Sequence, residues 1–252
     1  MDKKLIGREA GPLICTPLIG KTREVILDEL DKILVKGPDI IEWRADFFDN
    51  LSDCLDVAAL ARDVKKLAGN ISVIFTIRSA REGGQPISLS DSEVIEINTV
   101  VCRETDIEYV DCELSNTPSD INYLLKVAHE NGTGVIASFH NFDYTPAEDI
   151  LYAKLLEAEA YGMDAGKIAV MPKTLEDVLV LLSTTLKARN TMKIPVITMS
   201  MGQLGAVTRL IGGIFGSSLT FAVGQSTSAP GQIPIEDLKQ VMDILQKYAG
   251  GV

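Results

Sequence analysis

The chain has 252 residues, of which 46% are apolar and 23% charged, enough for one large α/β domain with a sizeable core. Its formal net charge of −11 disfavours non-specific attachment to nucleic acid or anionic membrane, although a local cluster of arginines can still hold a small anion. Residues 1–8 hold no apolar stretch of signal-peptide length, Leu210–Val223 is interrupted by glycines and serines, and Cys15, Cys54, Cys102 and Cys112 form no Cys-x-x-Cys pair, so a reduced cytoplasmic protein with no metal site and no membrane span is expected.

Residues 1–12 are expected to form a short hairpin around Gly7-Arg8-Glu9-Ala10-Gly11. The first strand pattern is Leu13–Leu18, followed by a helix with Ile26, Leu30, Ile33 and Leu34 on one face and Gly37-Pro38 as its stop. Strands then read at Asp39–Arg44 and Ser72–Arg78, the second followed by a helix opened by the capping box Ser90-x-x-Glu93. Glu108–Glu113 is the fourth strand. The helix after it ends near His129, where a cation suits the helix dipole and no chemistry is assigned. Gly134–His140, Lys167–Met171, Pro195–Met201 and Ser218–Val223 complete the strand set, and the last helix carries Leu238, Val241, Met242 and Leu245 on one face. Gly224 to Gln232, rich in Ser, Gly and Pro, reads as a lid over a site.

Eight strand–helix units in this length predict a (β/α)8 TIM barrel, one domain over residues 1–252. The rival, an open doubly wound sheet, usually shows Gly-x-Gly-x-x-Gly after its first strand, and this chain has none.

Alternation along the strands sorts the faces. Ile40/Glu42/Arg44, Ile74/Thr76/Arg78, Tyr109/Asp111/Glu113, Ile136/Ser138/His140, Lys167/Ala169/Met171 and Ile197/Met199/Met201 each share one side, while the opposite faces of strands 2, 3, 5 and 6 are apolar. The apolar sides must meet the helices, so the charged sides converge on the barrel axis. Buried charges need partners: Arg44, Arg78 and Lys167 are expected against Glu42, Asp111 and Glu113, with Arg44 or Arg78 close to Lys167.

Lys167 opens its expected strand, whereas barrel chemistry sits at the C-terminal ends of strands. Its stem can carry the amine up the interior, with Ala169 leaving room above it. The bland alternative is a lysine snorkelling to solvent at the bottom of the barrel. An enclosed amine beside a histidine is what imine chemistry requires. Taken singly, His140 reads better as a hydrogen-bonded core histidine, and Arg209 as readily as a helix-surface arginine. Met199 and Met201 read as packing rather than metal ligands.

In order along the chain stand Glu42-Trp43-Arg44-Ala45-Asp46, Thr76-Ile77-Arg78-Ser79-x-x-Glu82-Gly83-Gly84, Ser138-Phe139-His140-Asn141-Phe142, Lys167-Ile168-Ala169, Met199-Ser200-Met201-Gly202 and Ser228-Ala229-Pro230-Gly231-Gln232. With this ordered set the chain closely resembles the type I 3-dehydroquinate dehydratases of the shikimate pathway, and the resemblance covers about Pro12 to Leu245. The resemblance implies a cofactor-free hydro-lyase, a homodimer, acting on the small molecule 3-dehydroquinate. It implies that Lys167 forms the imine, that His140 is the general acid/base and that Glu82 orients it. It also implies that Glu42, Arg44, Arg78, Arg209, Ser228 and Gln232 hold the substrate's hydroxyls and carboxylate, and that Met199, Met201, Phe221 and Ala229 line the site. Many members carry a serine near the end of strand 1; here Pro17 aligns with it, and Thr16 would serve only in another register. The rival functions are another Schiff-base barrel, such as a class I aldolase, and a non-catalytic binder of a cyclic polyol acid.

Overall fold

The computed structural model describes residues 5–8, 11–225 and 229–249. Strands and helices alternate: β1 (Leu13–Leu18), α1 (Arg23–Leu34), β2 (Ile40–Arg44), α2 (Cys54–Ala68), β3 (Ser72–Thr76), α3 (Asp91–Glu104), β4 (Tyr109–Glu113), α4 (Pro118–Glu130) and β5 (Gly134–Asn141). The series continues with α5 (Glu148–Tyr161), β6 (Ala165–Val170), α6 (Leu175–Thr191), β7 (Val196–Ser200), α7 (Gly202–Phe215), β8 (Leu219–Val223), β9 (Ile233–Pro234) and α8 (Ile235–Ala249). The strands form one parallel ring in the order β7-β6-β5-β4-β3-β2-β1-β8, with β9 added beside β8. The ring closes at a single parallel bridge, Val196 to Ser217. There Ser218 N donates to Val196 O (2.8 Å), and the next rung is a side chain: Thr198 N donates to Ser217 Oγ (3.0 Å).

Helix starts follow from local chemistry. Ser90 and Thr174 each cap with a reciprocal acid three residues on, Glu93 and Asp177, satisfying amides the helix cannot pair internally. Thr22, Asp53 and Thr117 cap α1, α2 and α4 with a single side-chain acceptor.

Two cores result from the alternation. Outward residues pack against the helices around Trp43, which meets Phe75 and Phe48 edge-on at 5.2 and 6.1 Å. Aromatics buried like these cost about 3–5 kcal/mol when truncated to Ala. Inward residues form the barrel interior, in which Leu13, Cys15, Ile40, Ile74, Tyr109, Ile136 and Ile197 fill the lower layers. Ile6 packs into this interior and its N–H donates to Tyr109 Oη (3.2 Å). The hairpin expected at the N-terminus falls partly on Glu9 and Ala10, outside the described residues; Leu5–Arg8 carry no regular element.

Two strand limits differ from expectation with consequences for the site. β6 begins at Ala165, because the ladder to its neighbours already runs at Gly166, so Lys167 is mid-strand and its amine lies inside the barrel instead of snorkelling out at the bottom. β3 ends at Thr76, and the Arg78 amide leaves the sheet for Asp46 Oδ1 (3.4 Å). β9 was not expected; it runs parallel to β8 at Ala222↔Ile233 and Val223↔Pro234.

Candidate active site

Above the aliphatic layers the interior turns polar and opens into a cavity. Glu42, Arg44, Arg78, Glu82, His140, Lys167, Met199, Met201, Arg209, Phe221, Ala229 and Gln232 all line it, joined by Gly83, Phe142 and Ala169. Of the residues expected at the site only Ser228 is missing from this lining, and it lies outside the described residues.

Lys167 is 6% exposed, and its Nζ stands 3.2 Å from Glu42 Oε1 and 3.4 Å from Asp111 Oδ2, over the Phe221 ring at 4.7 Å from its centroid. Its charged contacts are two of the carboxylates expected against it, and Arg78 shares Asp111 Oδ2 with it at 2.7 Å. Ala169, next on the same face, lines the cavity as anticipated. Thr76 Oγ1 shares Glu42 Oε1 (3.1 Å).

Arg78 joins the acids to one another. Its guanidinium lies 2.7 Å from Asp111 Oδ2, off the axis of an N–H bond, and 3.0 Å from Glu113 Oε1, and it donates to Ser138 Oγ at 2.8 Å. Burial alone would lower its pKa, but Asp111, Glu113 and Glu82 outweigh that and hold the cation firmly. Burial pushes Asp111 the other way and is more than offset by Arg78, Lys167 and the Ser138 hydroxyl, so its carboxyl ionises below the usual range. Arg44 departs from the expected pairing: it makes a fork with Asp46, Nε to Oδ1 and Nη2 to Oδ2, both 2.8 Å.

His140 reaches the cavity from the end of β5. Glu82 Oε2 accepts from its backbone N–H (3.0 Å) and lies 2.8 Å from Nδ1. Burial, then the charges of Arg78, Lys167 and Arg44, drive the imidazole pKa well below its ordinary value, so the ring is neutral. A neutral ring that gives its Nδ1 proton to Glu82 leaves a lone pair on Nε2, which has no partner among the described residues. Burial and Glu113 raise Glu82 to about 7.

Glu82 is placed by the short turn Ala80–Glu82 and two glycines. Gly83 has φ +82°, and a Cβ there would come within 2.2 Å of the Phe142 ring; at Gly84 a Cβ would meet Arg78 O at 1.9 Å. Only glycines let this loop lie flat between Phe142 and β3.

Arg209, on α7, is 3% exposed yet pairs with no carboxylate among the described residues. Nη1 reaches Met199 Sδ (3.6 Å) and Phe221 O (3.5 Å), Nη2 reaches Pro230 O (3.3 Å), and Nε has no partner. Burial lowers its pKa to about 10. A desolvated guanidinium has the charge and fork geometry to pair with a carboxylate.

The strand-1 question is also decided. Pro17 shares register with inward Glu42, whereas Thr16 pairs in register with outward Ile41, and neither lines the cavity. His129 bonds Asp164 (2.9 Å) well outside the site, in keeping with its having no assigned chemistry.

The model of the Type I 3-dehydroquinase family matches residues 14–249. A 3-dehydroquinate dehydratase of Geobacillus sp. (strain WCH70) is 50% identical over 237 residues, covering 94% of this chain and 91% of the relative. The chain belongs to the type I 3-dehydroquinases. Among solved members, the 3-dehydroquinate dehydratase of Geobacillus kaustophilus HTA426 superposes with a TM-score of 0.93 at 47% identity, covering 94% of this chain and 92% of that one. The type I enzyme from Clostridium difficile, solved with covalently modified comenic acid, gives 0.92 at 35% identity, covering 98% and 97%.

In this 3-dehydroquinase the unpaired guanidinium carries a testable cost. Arg209→Met is expected to raise the melting temperature of the ligand-free protein, because a desolvated cation is replaced by apolar packing. The same change is expected to raise KM by about 10- to 100-fold, the worth of a charge-assisted hydrogen bond. Thermal melts and steady-state kinetics check both signs.

Phe142 lines the cavity and Asp46 holds Arg44 from behind it, and neither has a role readable from sequence. Both lie within the family motifs. Asp46 follows its strand in a 3-10 turn, where alternation no longer predicts direction.

Proposed function

We infer that this chain dehydrates 3-dehydroquinate to 3-dehydroshikimate through an imine on Lys167, a step of the shikimate route to chorismate and the aromatic amino acids. One observation carries the reading: an enclosed amine and a carboxylate-held neutral imidazole share a single cavity with a buried arginine that pairs with no carboxylate among the described residues. The covalently modified ligand in the Clostridium difficile relative supports covalent chemistry in such a cavity.

The substrate carboxylate pairs with Arg209, and its hydroxyls meet Glu42, Arg44, Arg78, Gln232 and Ser228. Met199, Met201, Phe221 and Ala229 pack against the ring. The Lys167 amine, as the free base, adds to the C3 ketone, and loss of water gives an iminium. That cation withdraws electrons from C2, so His140 Nε2 can take a C2 proton and leave an enamine. The enamine expels the C1 hydroxyl, which leaves as water with the proton His140 has just gained. One base serving both steps requires that proton and hydroxyl depart from the same face, a syn elimination. Water then hydrolyses the imine, and the balance is one water lost. The iminium supplies the electron sink, so the reaction needs no cofactor. With this reading go a single barrel domain over residues 1–252, a cytoplasmic location and a homodimer.

The test is incubation with 3-dehydroquinate and borohydride, then mass spectrometry of the peptide containing Lys167. A reduced substrate adduct on Lys167 is expected, alongside enone formation without reductant. Product without any adduct would overturn the imine. Two carbon fragments would favour an aldolase, and binding without product a non-catalytic barrel.

A further inference from the structure

The side chain of Asp46 is fully buried, at 0% exposure, in the turn after β2. Its oxygens accept from four donors: Arg44 Nε and Nη2, each at 2.8 Å, the Gln85 amide at 3.1 Å and the Arg78 amide at 3.4 Å. A carboxylate is the only side-chain group of this size that accepts everywhere and donates nowhere. An amide in its place would turn an NH2 toward one pair of these donors.

The four bonds act on two parts of the site. The fork on Arg44, with the Phe47 ring 5.3 Å from its guanidinium carbon, fixes the plane of the group and leaves Nη1 for the cavity, which Arg44 lines. The two amides lie at either end of the loop that carries Glu82, so the same carboxylate fastens that loop where it leaves β3 and where it returns. Glu82 in turn holds His140. We propose that Asp46 is a positioning residue for the dehydration, aiming Arg44 at the substrate and anchoring the loop through which Glu82 orients His140. This rests on the reading of the reaction given above.

Asp46→Asn tests it, with Val101→Ala as the comparison, a buried substitution on α3 away from the cavity. Asp46→Asn is expected to raise KM and lower kcat, each by about 10- to 100-fold, by analogy with the loss of hydrogen-bonded partners behind metal ligands. The borohydride adduct on Lys167 should still form. In an Arg44→Met background the same change should leave KM where Arg44→Met put it and still lower kcat, because only the loop remains to be disturbed. Unchanged KM and kcat in Asp46→Asn overturn the proposal. So do losses that Val101→Ala reproduces at an equal drop in melting temperature, or a KM effect undiminished without Arg44. If Asp46→Asn does not fold, Asp46→Glu keeps the charge but displaces the fork by one methylene, and the same KM and kcat pattern decides. Absence of an adduct in the parent enzyme strikes the imine mechanism, whereas the kinetics of the Asp46 variants judge this inference separately.

Discussion

Lys167→Ala is expected to lose both turnover and the trapped adduct. Removal of a covalent nucleophile lowers kcat by about 10⁶ in the best-studied hydrolase, and a fall of about 10⁴ or more is the expected scale here. Among the described residues no other lysine lines the cavity to take over the attack. Stability should fall with it. Asp111 keeps Arg78 and the Ser138 hydroxyl, but Glu42 is left with only the Thr76 hydroxyl on its paired oxygen. Stranding one member of a buried ion pair costs about 3–5 kcal/mol. Denaturant titration and intact-mass measurement with borohydride separate the two effects: a variant that retained the adduct would place the imine elsewhere.

His140→Ala is expected to divide chemistry from capture. Turnover should fall by about 10²- to 10⁴-fold, the usual worth of a positioned general base. The amine and its carboxylate partners are untouched, so substrate should still be trapped on Lys167. In the parent enzyme kcat/KM should fall as pH drops through about 7, where the raised carboxyl of Glu82 takes up a proton. The sign follows from the shift. A carboxyl pushed above its ordinary value is charged only on the alkaline side of 7, and only then does it draw the Nδ1 proton and leave Nε2 basic. Glu82→Gln should remove that acid limb. A parent-like rate in His140→Ala, or an acid limb that persists in Glu82→Gln, would remove these residues from their roles.

Much of this was legible from residues alone, for a physical reason. Each strand meets helices on one side and the axis on the other, so a charged set facing an apolar set can be read directly from alternation, as at Glu42 and Arg44 against Ile41 and Trp43. Capping boxes were readable because they are local, as at Ser90 and Glu93. Lys167 was set too early in its strand because Ala165 and Gly166 have little β character and register is decided by neighbouring strands. Arg44 was given the wrong partner because Asp46 stands beyond the strand end, in a turn whose side-chain directions no periodicity fixes. Arg209 was recognisable only through the family resemblance, since nothing local shows that a helix arginine is enclosed away from any carboxylate among the described residues.

The closure between β7 and β8 bears on how the cylinder is held shut. One bridge and a serine hydroxyl do there what a full ladder does elsewhere, so this joint is the least firmly sewn seam in the wall. Arg209 lies across it, touching Met199 on β7 and Phe221 on β8 with the same nitrogen. A carboxylate docked on that guanidinium would act as a clasp over the gap, so occupancy of the site and integrity of the barrel rise together.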